Sequence, residues 1–422
     1  MKHLTLLVVA AFLVLAGPST AQAQWPQFRG PDGQGHSDDK RVPLKWSETD
    51  SIAWKSAVPG SGWSSPVIAS GQIWMTSAHD DGRSLHAVCL DQKTGELLFD
   101  VEVLTTDNVG PKHAQNGFAS PTPVLDGKRS YVHFGPRGTV CLNLKGEILW
   151  KNTDLPFELP QGAASSPILH KEKLILVCDG TDHQFVAALD KMTGTVIWKT
   201  ARKHLDRVKD SGFFKMAYAT PLVVTTGGVT QVIASGSEHV AAYDIKTGEE
   251  IWWHQYIGFS LVGRPSHGNG LFYVVGSVAQ DHHCIYAIKP GGKGEIKDED
   301  LAWKNPDGIG HVPSPLLFGK EIYVIDDEGT AQCLDAITGE VIWKQRLGGR
   351  FRCSPLQVGD HIHFLNEVGT ATVVRAGREF KVESTNQLDG IFLASPAVAD
   401  GALFLRSDTH LYRIQEGAGG GQ

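Results

Sequence analysis

Ala188-Leu-Asp190-Lys-Met-Thr193-Gly194-Thr-Val-Ile-Trp198 is the stretch whose reading decides the fold. The same spacing returns from Ala242 to Trp252 and from Cys333 to Trp343, and from Cys89 to Phe99 with phenylalanine in the last place. A copy one residue shorter ends Gly146-Glu-Ile-Leu-Trp150, and a looser one runs from Ala287 through Gly291-Gly292 to Trp303. Each copy has a physical logic. The Asp can accept hydrogen bonds from turn amides, and the Gly supplies a conformation costly to other residues. The indole is a large apolar filler with one donor, suited to packing on a neighbouring unit.

Working outward from this turn, a Ser-Pro or near variant opens each unit. It stands at Ser65-Pro66, Ser120-Pro121, Ser166-Pro167, Thr220-Pro221, Arg264-Pro265, Ser314-Pro315, Ser354-Pro355 and Ser395-Pro396. After the proline come a short apolar strand, a turn such as Asp126-Gly127 or Asp400-Gly401, and a more aromatic strand. A third strand then ends in Leu-Asp or a close variant. Runs of four to six β-branched and aromatic residues between Gly, Asp and Pro turns are strand signals. A period of 40 to 55 residues is the scale of one four-stranded propeller blade.

The sequence therefore predicts an all-β, eight-bladed β-propeller of four-stranded antiparallel blades over residues 51–415. Seven units are complete in order, although the seventh has lost its tryptophan turn. The last, from Ser395 to Ile414, has three strands, and its fourth is available at Ile52-Ala53-Trp54-Lys55. Pairing the N-terminal strand with the C-terminal three closes the ring and leaves no open edge. Residues 24–50 are an N-terminal extension, and residues 416–422 read as a disordered tail.

The pattern Ala-x-Asp-x-x-Thr-Gly-x-x-x-Trp resembles the tryptophan-docking repeat of the pyrroloquinoline-quinone (PQQ) propeller superfamily. That superfamily includes quinoprotein alcohol dehydrogenases and the non-enzymatic propeller lipoprotein of the bacterial outer-membrane barrel-assembly machinery. The opening Trp25-Pro-Gln-Phe-Arg-Gly-Pro-Asp-Gly-Gln-Gly35 is similar to a group of exported bacterial PQQ-repeat proteins of unassigned activity. The resemblance implies a propeller that is either a scaffold or a PQQ enzyme with calcium. It also implies a vicinal disulfide for the quinone, and no two cysteines are adjacent in this chain. The expectation is that no cofactor is bound.

Residues 1–23 read as a signal peptide: Lys2, an apolar stretch from Leu4 to Ala16, a break at Gly17-Pro18, and a cleavage site after Ala23. The apolar stretch is too short to span a bilayer as a helix. No cysteine precedes Cys89, so the expectation is a periplasmic or extracellular protein without a lipid anchor. The formal net charge is -7 with no long basic run, which argues against nucleic acid as a partner. Cys89, Cys141 and Cys333 occupy equivalent places in different units, too far apart to pair, and read as small buried residues. The sequence leaves Cys178, Cys284 and Cys353 unassigned.

Catalytic signatures are scarce: no Gly-x4-Gly-Lys loop, no His-Glu-x-x-His, no Gly-x-Ser-x-Gly. The segments entering each first strand crowd one end of the channel. They make Trp63, Phe118, Tyr218, Arg264, His311 and Arg352 the candidate ligand site, a funnel for an anion or carboxylate. For metal, Asp281-His282-His283 and His361-x-His363 are the histidine groups, neither with an identifiable third ligand, and no metal site is predicted. Asp80-Asp-Gly82 and Asp326-Asp-Glu-Gly329 are explained by turn chemistry. Two insertions, 102–118 and 200–216, are recognition-loop candidates, the second basic and ending in Phe213-Phe214.

The reading is a non-catalytic binding or assembly scaffold of the cell envelope. Its partner would be another envelope protein, an extracellular small molecule or a glycan. The alternative is a PQQ-dependent or carbohydrate-active enzyme that uses the channel funnel.

Overall fold

In the computed structural model, residues 24–208, 210–279 and 282–419 are described. Eight sheets, each built on four antiparallel strands, surround a channel. The ring closes as the sequence predicts: Asp50–Ala57 pairs antiparallel with His410–Gly419, which completes the blade begun by Ala397–Ala399 and Ala402–Arg406. Pairing reaches Gly419 opposite Asp50. Residues 416–419, expected in a loose tail, therefore belong to the closing strand. The signal-peptide reading falls on residues outside those described, and among the described residues no helix is long and apolar enough to cross a membrane.

The tryptophan turn joins blades. Asp190 Oδ1 accepts from the amides of Met192 and Thr193, at 2.8 and 2.9 Å, which shapes the turn and puts Gly194 at φ +75°. The ring of Trp150, from the preceding blade, lies on that glycine and donates Nε1 to Lys191 O at 3.0 Å. Trp198 lies on Gly248 and donates to Ile245 O, and Trp303 lies on Gly339 and donates to Ala336 O. At the closing blade Trp54 covers Gly95, and Phe99 packs on Gly146. Gly therefore answers two demands: a left-handed φ, and no Cβ under the neighbour's indole. Blade seven lacks its tryptophan, and Trp46 of the N-terminal extension packs there instead, stacked 6.0 Å from His363.

An alanine at Gly194 would hold its Cβ 2.5 Å from the Trp150 ring. Gly194→Ala is expected to cost about 2–3 kcal/mol, from the positive φ plus the displaced indole. Gly71→Ala is the control, since Gly71 has φ +78° with nothing within 4 Å of an added Cβ, and it should cost only about 1 kcal/mol. Urea midpoints of the two variants read the difference. Equal losses would mean that indole packing adds nothing to the joint.

Two blades take a fifth strand. His36–Ser37 runs parallel to the inner strand of blade seven, and Gly294–Ile296 runs parallel to the outer strand of blade four. All six cysteines are buried and unpaired. Each stands among the apolar residues of a blade, and burial pushes their thiols well up, as at Cys333, to about 12.

Candidate functional site: a floored chamber in the channel

The Ser-Pro positions meet around the channel axis, where six amides among the described residues donate to the hydroxyl of the next blade. Ser65 N reaches Thr122 Oγ1 at 2.9 Å, Thr122 N reaches Ser166 Oγ at 2.9 Å, and Ser166 N reaches Thr220 Oγ1 at 3.0 Å. The series resumes with Arg264 N to Ser314 Oγ, Ser314 N to Ser354 Oγ and Ser354 N to Ser395 Oγ, each at 3.0 Å. Proline suits this place because it holds the preceding residue extended and has no amide to leave unpaired. The second blade enters the ring at Thr122-Pro123, not at Ser120-Pro121 as the sequence reading had it. Ser120 Oγ instead hydrogen-bonds Asn116 Oδ1 at 2.6 Å. Two Ser/Thr-Pro pairs in succession cannot be told apart until one faces the next blade.

The N-terminal extension floors the channel. Trp25 exchanges both backbone bonds with Ile68 of blade one at 2.8 Å, and Leu125 N of blade two donates to Pro26 O. The chain then crosses the axis. Arg29, fully buried, donates to Gln34 O, to Pro315 O of blade six at 3.2 Å and to Pro355 O of blade seven at 3.1 Å. Arg264 is turned the same way: its Nη1 donates to Phe28 O at 2.7 Å, and Gly33 lies against the guanidinium. Burial lowers Arg264 to about 9 and Arg29 to about 10, so both keep their charge at neutral pH.

Above this floor is a chamber of about 430 Å³, with Phe28 at its base and the hydroxyl ring around it. Four of the six predicted residues line it: Trp63, Tyr218, His311 and Arg352. Arg264 does not, because its side chain is drawn to the carbonyls of the floor. Phe118 does not either. Its ring lies under Arg137 and Lys112, at 5.4 and 5.8 Å, and borders a separate cleft outside the channel.

At the mouth, Arg352 Nη1 pairs with Asp327 Oδ1 at 2.7 Å and Nη2 reaches Gln115 Oε1 at 3.1 Å. Asp327 Oδ2 also accepts the His311 amide at 2.9 Å. Burial holds His311 below the usual imidazole range, and its ring stacks on His283 at 4.8 Å. Across the chamber Tyr218 Oη donates to Gln161 Oε1 at 3.0 Å, and Ser260 Oγ donates to the same oxygen at 3.3 Å. Gln115, Gln161, Ser260 and Asp327 were not among the predicted site residues. They sit on connections of separate blades, and no local pattern brings them together. His361 and His363 lie on one strand, but His363 is buried on Trp46, and among the described residues the two belong to no group of three possible ligands.

The family model described as outer membrane protein assembly factor BamB matches residues 182–291 and 285–391. The chain belongs to the PQQ-like β-propeller family. Among curated relatives, a tetrathionate hydrolase of Acidithiobacillus ferrooxidans is 26% identical over 43% of this chain and 41% of its own length. An outer membrane protein assembly factor BamB of Shewanella oneidensis is 26% identical over 46% of each chain. The match thus spans less than half the length of either relative. Among solved structures, BamB of Moraxella catarrhalis superposes with a TM-score of 0.60 at 12% identity, covering 87% of this chain and 97% of that one. Quinohemoprotein alcohol dehydrogenase of Comamonas testosteroni gives 0.70 at 12% identity, over 96% and 82%. At such identities the likeness is one of fold.

Proposed function

We propose that this PQQ-like propeller is a non-catalytic scaffold of the cell envelope, exported without a lipid anchor, which docks another envelope protein on its mouth face. One observation carries the reading. Phe213 and Phe214 are 46% and 39% exposed and pack edge to face on each other, and Phe214 packs edge to face on Phe259, which itself lines the chamber. Large apolar rings held outward on a rigid support serve as interface anchors. The insertion that carries them starts from the buried Asp179–Arg202 pair, and Ser237 Oγ donates to Phe214 O at its far end. Lys203, Arg207 and Lys215 belong to the same insertion, so the partner surface would be apolar with an acidic rim. The likeness to an assembly factor supports the same direction.

The enzyme alternative would use the chamber. PQQ carries three carboxylates, yet the chamber offers one guanidinium, Arg352, already paired with Asp327. Arg29 and Arg264 are engaged by the carbonyls of the floor. The residues present do not fit the quinone. For glycoside hydrolysis a pair of carboxylates must flank the bond, and among the described residues lining the chamber none is Asp or Glu.

A photo-crosslinking amino acid at Phe213 of the exported protein tests the scaffold. A discrete adduct that disappears with Phe214→Ser is expected. In parallel, PQQ with calcium should change neither tryptophan fluorescence nor melting temperature. Saturable PQQ binding near one per chain, with a raised melting point, would overturn the scaffold reading.

A further inference from the structure

We propose that His79, His86 and Asp100 form a site for a divalent transition-metal ion of the zinc class, at the seam where the ring closes. The three side chains come from three adjacent strands of blade one: Gln72–His79, Ser84–Asp91 and Leu97–Thr105. Their ligand atoms lie within 4.8 Å of one another. The imidazoles stack at 3.9 Å. His86 Nδ1 is 2.7 Å from Asp100 Oδ1, and His79 Nε2 is 3.7 Å from Asp100 Oδ2. That His79 nitrogen is buried and has no hydrogen-bond partner.

The proton inventory points to a cation. Ser84 Oγ is 2.5 Å from Glu102 Oε2 and 2.7 Å from His86 Nε2. A carboxylate only accepts, so the single hydroxyl proton goes to Glu102, and the serine oxygen accepts from His86 Nε2–H. In the Nε2–H tautomer, His86 Nδ1 turns its lone pair toward the Asp100 carboxylate. In that tautomer the 2.7 Å contact needs a proton on the ring or a metal ion held to one side of the N···O line. A proton on His86 would serve that pair but leave His79 Nε2 unserved. A metal ion serves all three, accepting one lone pair from each imidazole and one from the carboxylate, with no change in oxidation state.

The ligand set suits the ion. Two imidazoles and a carboxylate, with a fourth position open for water, are a zinc-type arrangement. His79 and Asp100 are 26% and 25% exposed, which leaves that fourth position facing solvent. The Ser84–Glu102 pair behind His86 fixes its tautomer and ring plane, as outer partners of metal-bound imidazoles do. Above the site passes the segment arriving from the closing strand. Ser61 exchanges both backbone bonds with Ala78, at 2.8 and 2.9 Å, and Pro59 O accepts from Ser77 Oγ. An ion there would tie three strands of blade one directly beneath the ring closure. His283, His311 and Asp327 are a second such cluster. Its carboxylate is occupied by Arg352 at 2.7 Å, a cation that opposes another.

The test uses the mature chain stripped with EDTA and titrated with Zn²⁺ against a chromophoric chelator, with Co²⁺ absorption reporting nitrogen ligands. Wild type and His311→Ala should bind one more equivalent of zinc than the double variant His79→Gln/His86→Gln, and zinc should raise the melting temperature only of the first two. Ser84→Ala, which leaves the ligands in place, should weaken binding about 10-fold or more. If the double variant, shown folded by circular dichroism, binds as much zinc as wild type, the proposal is wrong. It is equally wrong if wild type takes up none.

Discussion

Asp179→Ala is expected to destabilise the protein by about 3–5 kcal/mol, the usual cost of removing one partner from a buried ion pair. Arg202 Nε meets Asp179 Oδ1 at 2.7 Å, and both side chains have no solvent exposure. The guanidinium also donates to Ala234 O and Ser235 O of blade four, at 3.2 and 3.1 Å, so one side chain joins blades three and four. Burial pushes the Asp179 carboxyl up to about 6 against the pull of Arg202, and Asp179 in turn raises Arg202. Without the carboxylate a full charge is left in an interior that cannot solvate it. Asp179→Ala/Arg202→Met should recover much of the loss, because no charge then needs a partner. Hydrogen exchange over residues 203–216 should quicken in the single variant, since the insertion starts at Arg202. A loss under about 1 kcal/mol in urea unfolding would show that the pair does not hold the insertion.

Acid should weaken the protein through buried neutral histidines. His363 is held down to about 3 by burial, and both its ring nitrogens lack hydrogen-bond partners. The unfolded chain takes up the proton from about pH 6.5 downward, while the folded chain refuses it until about pH 3. Stability present above pH 6.5 is therefore lost as the pH falls, by roughly 3 kcal/mol at pH 4. Asp179, with its raised pKa, works in the opposite direction over part of that range, so the comparison to make is between variants. His363→Phe keeps the stack on Trp46 and has nothing to protonate. Between pH 6.5 and 4 it should lose roughly 3 kcal/mol less than wild type. Parallel melting curves across that range would contradict the buried-base account.

The blade repeat was legible because each turn is local. Asp190, Thr193 and Gly194 act within one hairpin, and their spacing shows in any window that contains it. Tyr218, His311 and Arg352 were legible for a related reason: a residue entering a first strand sits near the axis whatever its neighbours are. Arg264 enters in the same way, and local reasoning failed there. Its direction depends on Phe28 O, supplied by a segment 236 residues away in the chain. Phe118 failed similarly, because the cations that cover it, Lys112 and Arg137, come from the insertion and from blade two.

By itself the sequence determined the number of blades, the turn that welds one to the next, and the pairing of both termini, since all three follow from periodic strand and turn chemistry. Tertiary structure alone decided that the N-terminal extension floors the channel and that two arginines turn to its carbonyls. It alone decided that Thr122 rather than Ser120 joins the hydroxyl ring, and that His79, His86 and Asp100 converge. Those outcomes depend on which backbone oxygen or side chain meets which, across the ring or between the strands of one blade. A period in the sequence carries no information about distances between strands of different registers.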